Sequence, residues 1–207
     1  MTEASEAGQP ERVDALWLVT LQRICGKAAH ELKGALNAVS LNLEVVRSRS
    51  GKPALEASAL GPFAEAAVGQ LDAVIAMSEA LLALTRSATA VDVTAEVKRI
   101  EALLGPAARS GHGMVELDAT LSGLGTTSAS SSSARLAIGW AMLAAIEQSK
   151  SVRCLSSGND DVPSLRIEAP DARFDHFSKE DVVVEELTAA GIVVRAEPSA
   201  IVIDFPR

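Results

Sequence analysis

The residues best suited to chemistry in this chain lie in one octapeptide, His30-Glu31-Leu32-Lys33-Gly34-Ala35-Leu36-Asn37. A neutral imidazole nitrogen is a competent nucleophile near pH 7. A neighbouring carboxylate such as Glu31 can accept from the other ring nitrogen and raise its basicity. No second His or Cys stands four residues after His30, so the spacing of a helical metal site is missing. Cys25 is five residues away, on the wrong helical face for co-ligation. His112 and His176 stand in loop-like contexts without a partner and read as ordinary surface residues. The two cysteines, Cys25 and Cys154, are too few for a disulfide framework and have no metal-ligand spacing. They are expected to be buried thiols in a reducing cytoplasm.

A helix must carry His30. From Val13 to Arg49 there is no Pro and only two Gly, and apolar residues recur at a 3-4 spacing through Trp17, Leu21, Ile24 and Ala28. The spacing resumes as Leu32, Leu36, Val39, Leu43 and Val46, which predicts one long amphipathic helix with a one-residue phase slip near His30. At 100° per residue His30 lies about 160–240° from that second set, facing solvent. Gly26, Gly34, Asn37 and Leu41 share its azimuth within about 40°. Small residues followed by an exposed Leu suit a docking surface for another protein. The alternative is a polar residue on a solvated helix face with no further role.

A second helical pattern, Phe63, Ala67, Leu71, Val74, Ser78, Leu81 and Thr85, follows the breakers Ser50, Gly51, Lys52 and Pro53. Two long helices in sequence make an antiparallel hairpin, and apolar stripes this long call for a second copy, hence a dimeric four-helix bundle. The rest of the chain alternates. Strand signals fall at Val91–Val93, Met114–Leu117, Val152–Leu155, Leu165–Ala169, Ile192–Ala196 and Ala200–Phe205. Helical stretches are expected at Ala95–Ser110, Ala134–Gln148 and Lys179–Ala190. The Ser-rich tract Thr126–Ser133 reads as a flexible loop whose last Ser caps the next helix. The expected fold class is therefore α+β: a helical hairpin over residues 13–88 and an α/β sandwich over 89–207, behind a disordered 1–12.

Composition excludes several roles. The chain has 207 residues, 48% hydrophobic but only 3% aromatic, so its core is aliphatic. A net charge of −8 argues against a nucleic-acid footprint, which needs clustered Lys and Arg. The longest uninterrupted apolar stretch, Ala137–Ile146, is about half of what a bilayer requires, so no membrane helix is expected. The N-terminus is acidic and polar where a secretory signal is basic and then apolar, and the expected location is the cytoplasm.

The run AAHELKGALNAVSLNLEVV resembles the H-box of sensor histidine kinases, which lies on the first helix of a dimerisation and phosphotransfer hairpin. The order of the later elements resembles the ATP-binding domain of the same family. The departures from that family matter most. Ala144 stands where the family has the Asn that holds magnesium and phosphates. In the stretch Asp171–Asp175, matching the family's Asp-x-Gly-x-Gly turn, only the Asp is kept. Too few residues precede Lys179 for a nucleotide lid. Without these parts nothing positions and neutralises a triphosphate, so the resemblance implies a degenerate ATPase domain that binds no ATP.

What the resemblance implies instead is a histidine phosphotransferase of a two-component phosphorelay. It would carry a phosphoryl group between receiver-domain aspartates, with Mg²⁺ supplied by the receiver and no cofactor of its own. His30 would be the phosphoacceptor and Glu31 its orienting or activating neighbour. Lys33, Gly34, Asn37 and Leu41 would form the docking face for response-regulator receivers, with a hybrid histidine kinase as a further partner. Gly34 occupies the place of the family's polar phosphatase residue, which argues against dephosphorylation. The rivals are a catalytically dead dimeric scaffold that binds a kinase or regulator, and an autokinase with unusual nucleotide motifs. Since receiver sites are acidic, the His30 face, with Lys27 and Lys33 against Glu31, should be less negative than the whole.

Overall fold

In the computed structural model of the chain the described residues are 9–51, 57–88, 90–157, 162–174 and 181–207. The fold is α+β, with five α-helices among the described residues, a long N-terminal one included, and a mixed sheet. Helix α1 (Gln9–Ser50) has 42 residues and is about 63 Å long. Its buried residues are Val13, Trp17, Thr20, Ile24, Ala28 and Ala35. They form one unbroken stripe, so the phase slip expected near His30 is absent. The apparent slip arises because Leu36 and Leu43, 49% and 52% exposed, belong to a second apolar face, while Leu32, Val39 and Val46 are half-buried between the two.

Helix α2 (Gly61–Leu84) packs along α1. Its inner residues are Ala67, Met77, Ala80 and Leu84. The expected stripe is thus rotated: Ser78 is exposed, Thr85 is the residue after the helix, and Leu71 faces out. Contrary to the reading from uninterrupted apolar runs, α2 is long and apolar enough, by length and composition only, to cross a membrane. One face of it packs on α1 and α3, however, and its exposed Val68, Leu71, Ile75 and Leu82 repeat at bundle spacing.

After the hairpin come β1 (Val91–Asp92), α3 (Val93–Ser110), β2 (Met114–Leu117), β3 (Thr126–Thr127), α4 (Ser131–Gln148), β4 (Ser151–Ser156), β5 (Ser164–Glu168), α5 (Val182–Ala189), β6 (Val193–Glu197) and β7 (Ala200–Asp204). Strands β1 and β3 form a small antiparallel pair. The main sheet runs β2-β4-β5-β7-β6, with β2 and β4 parallel and the other neighbours antiparallel. Its inner face supplies Val152, Cys154, Leu165, Ile167, Ile201 and Ile203, all nearly inaccessible. On the other face Arg166 pairs with Glu168 and Glu197, and Arg195 pairs with Asp204. That face is polar.

The Ser-rich tract is structured, contrary to the expected loop. Thr127 pairs in β3, and Ser130 rather than Ser133 is the N-cap of α4, its side chain accepting from the Ser133 N–H at 3.1 Å. Ser131 both donates to and accepts from the Ala88 backbone at 3.0 Å. Serines that look like linker in composition satisfy helix and strand ends here. The helix expected from Lys179 is α5, capped by Asp181, whose side chain accepts from the Val183 N–H at 2.8 Å. Residues 175–180, and with them His176 and the stretch before Lys179 expected to be too short for a lid, lie outside the described residues.

Helix α4 is buried nearly all round, as befits a helix sandwiched between other layers. It contacts α1, α3 and the sheet. At Gly139 the approach of α1 is close. A Cβ there would lie 3.1 Å from Ile24 Cδ1, 3.2 Å from Thr20 Cγ2 and 3.4 Å from Trp17 Cζ3. A second tie is the Arg135 guanidinium, which donates to both Glu96 oxygens at 3.1 and 3.0 Å. The same group donates to the carbonyls of Leu84 and Arg86 at 2.9 and 2.8 Å. Arg135 thereby caps the last turn of α2 from within the second half.

Candidate functional site

His30 is exposed on α1, away from the buried stripe, as the helical spacing predicts. It sits where α1 leaves the second half and enters the hairpin. Upstream, Ile24 packs on α4 at Gly139; downstream, Ala35 lies on the stripe that faces α2. Beside it is a cleft of about 450 Å³ lined by Arg23, Gly26, Lys27, His30, Glu31 and Ala107. At Gly26 and Gly34 an added Cβ would meet nothing within 4 Å. Open space therefore flanks the imidazole on both sides along the helix.

Glu31 is half-buried, and its Oε2 accepts from Ser110 Oγ at 2.6 Å. The C-terminal end of α3 thus anchors the carboxylate. Among the described residues its Oε1 has no hydrogen-bond partner, and His30 has none. Lys33, Gly34 and Asn37 are exposed, and Leu41 is 69% exposed. His30, Gly34, Asn37 and Leu41 fall on one helix face, at steps of four, three and four.

Two cations complete the cleft. Arg23 stands seven residues before His30 and Lys27 three before, on the same side of α1. Both reach Glu147 near the end of α4. Arg23 Nη2 donates to its two oxygens at 2.9 Å each, and Lys27 Nζ lies 3.8 Å from Oε1. Around His30, Arg23 and Lys27 thus stand against Glu31 and Glu147, a local balance less negative than the chain's net charge of −8. The sequence already places Lys27 on the His30 face, and the same spacing along α1 could have pointed to Arg23. Ser110, Ala107 and Glu147 come from other helices, and no local signal marks them.

A groove of about 680 Å³ continues past Lys27 and Ala107, bounded by Gly111, Gly113, Glu147, Gln148, Ser149, Lys150 and Asp171. At Gly113 a Cβ would lie 2.9 Å from the Lys150 carbonyl oxygen, so glycine lets β2 start directly beside β4. Asp171 accepts from Ser149 Oγ at 3.3 Å, and Ala172 and Phe174 of the same turn are buried. Asp175 is outside the described residues. Ala144 is half-buried on α4 and offers no metal-binding atom. Among the described residues no three His, Cys, Asp or Glu side chains gather as a metal would need.

The thiols differ. Burial pushes Cys154 up to about 12, with the Glu101 carboxylate adding to the effect. Cys25 is only half-buried rather than buried as expected, and desolvation raises its pKa as well. Neither has the electropositive, accessible setting of a reactive cysteine.

No protein-family model matches the chain, and no curated protein does. Among solved structures it is similar to the histidine kinase AdeS of Acinetobacter baumannii. The identity is 14% and the TM-score 0.42, over 86% of this chain and 97% of that one.

Proposed function

We propose that this chain is a histidine phosphotransferase of a two-component phosphorelay that works without ATP. His30 would take a phosphoryl group from the aspartyl phosphate of one receiver domain and give it to another. The observation that carries the reading is the setting of His30: an exposed imidazole between open glycine positions, beside a cationic cleft and an anchored carboxylate. A nucleophile that must meet an aspartyl phosphate inside another protein needs such access.

In the forward step the unprotonated imidazole nitrogen forms a bond to phosphorus as the bond from phosphorus to the aspartate oxygen breaks. The receiver's aspartate leaves as a carboxylate. The proton on the other ring nitrogen becomes acidic and passes to Glu31 Oε1 or to water. The return step is the reverse, on a second receiver. The receiver's Mg²⁺ would neutralise the transferring oxygens, so this chain supplies nucleophile, orientation and access. Lys33, Gly34, Asn37 and Leu41 continue the face along which a receiver would lie.

The same reading includes a homodimer. On α1 Leu36 and Leu43, and on α2 Val68, Leu71, Ile75 and Leu82, are exposed at steps of three, four and seven. That is the pattern of a seam, and two hairpins packed through it would make a four-helix bundle. A cytoplasmic location and the absence of an ATP site belong to this reading too.

The test mixes the protein with phosphorylated receiver domains from the same cell. Acid-labile phosphate is expected on the wild type and not on His30→Ala. If receivers bind equally to both and no phosphate ever appears, the chain is a scaffold. Label from ATP alone on His30 would make it an autokinase.

A further inference from the structure

We infer that Arg23 and Lys27 are positioning residues that receive the phosphoryl oxygens on His30, and that Glu147 occupies their charges while His30 is unmodified. The inference rests on the phosphoryl-carrying reading of His30. Both cations line the same cleft as the imidazole, one and two turns before it on α1. Glu147 is the second-last residue of α4, where the carbonyl ends of the helix disfavour a carboxylate. A locally disfavoured charge that reaches across to α1 holds its place through Arg23 and Lys27.

The hold is loose. The side chains of Arg23 and Glu147 are 51% and 41% exposed. Lys27 lies at 3.8 Å, outside hydrogen-bond distance. A phosphoryl group carries close to two charges and three acceptor oxygens, against one charge on Glu147. It therefore displaces the carboxylate from Lys27 first and then competes for the Arg23 fork, which suits paired oxygens. Gly26 leaves the floor of the cleft empty for it. The released Glu147 faces the adjoining groove, which Lys150 also lines. Phosphorylation thus loosens one of the bridges between α1 and α4, and the second half of the molecule registers the state of His30.

Phosphoramidate tests this without any receiver. The imidazole nitrogen displaces ammonia from phosphorus, leaving a phosphoryl group on His30. A ³¹P NMR titration then reads the phosphoryl pKa in the full-length protein. Nearby cations favour the dianion, so Arg23→Gln with Lys27→Gln should raise that pKa by about one unit. Lys27→Arg should keep the wild-type value, and Glu147→Gln should lower it further. Equal values in all four proteins overturn the inference, and so does failure of phosphoramidate to label His30. A protein that shows the expected order but takes phosphate from no receiver refutes the relay and keeps the anion site.

Discussion

Replacing Arg135 by Met probes the joint between the two halves. Arg135 and Glu96 are among the most buried charged groups described, with side chains 5% and 1% exposed. The substitution removes two hydrogen bonds to Glu96 and takes the side-chain donor from the Leu84 and Arg86 carbonyls, while the Ala83 carbonyl, 3.4 Å from Arg135 Nη2, keeps the Arg86 N–H at 3.2 Å. Glu96 keeps Arg99 Nη1 at 2.6 Å, which spares it complete isolation. Breaking a buried pair from one side costs about 3–5 kcal/mol, and the remaining partner points to the lower end, about 3 kcal/mol. At about 2–4 °C per kcal/mol for a chain of this size, the melting temperature should fall by about 10 °C. Glu96→Gln keeps the shape and leaves Arg135 its carbonyl acceptors, so it should cost about 1–2 kcal/mol. Because both changes act on one network, the double variant should be destabilised by about 1 kcal/mol or more less than the sum. Urea denaturation of the four proteins measures the cycle. Additivity within about 0.5 kcal/mol, or a loss below about 1 kcal/mol for Arg135→Met, refutes the account of a coupled buried clamp.

Charge placed on the outward seam, as in Leu36→Glu with Ile75→Glu, should convert a dimer to a monomer in light scattering while leaving the circular dichroism unchanged. An unaltered mass would remove the four-helix bundle. Cys154 should resist thiol reagents until the protein unfolds, with Cys25 reacting first. The folded Cys154 pKa lies above its ordinary value of 9.0, so its contribution to stability is complete below pH 9 and is lost as pH rises toward 12. Cys154→Ala should flatten that alkaline limb, whose slope for one thiol is at most about 1.4 kcal/mol per pH unit; an unchanged slope contradicts the assignment.

Much of the element order was legible because apolar runs here are short and end at Gly, Pro or Ser. The span Met114–Leu117 matches the observed strand, since His112-Gly113 before it and Asp118 after it break the run. His112 itself adopts a positive φ of 61°, which marks the turn. What stayed hidden was the choice between two apolar faces. Leu36 and Leu43 have the stronger hydrophobicity, yet Ala35 lies inside and those two leucines point to the second face. The serines misled for a related reason: composition cannot distinguish a free hydroxyl from one that ties Ala88 to α4. At the site, His30 and its helix face were legible from spacing. Ser110 and Glu147 lie 80 and 117 positions further along, and only the packing of α3 and α4 on α1 brings them there.

That packing also bears on how the two halves depend on each other. The first part of α1 carries Trp17, Thr20 and Ile24, which fill the space over Gly139, while α2 ends on donors supplied by Arg135. A fragment holding residues 9–88 alone would expose those side chains and leave the last carbonyls of α2 to water. Its helices are long enough to persist in part, but the apolar surface uncovered on both faces favours aggregation. The fragment should therefore show reduced helicity and broad, non-cooperative melting by circular dichroism. Gly139→Val in the full chain should mimic the loss in miniature, at a cost of about 2 kcal/mol from overpacking. A fragment that melts as sharply as the intact protein would mean that the second half is an appendage. Cooperative dependence would mean that it is the support which holds the His30 cleft open.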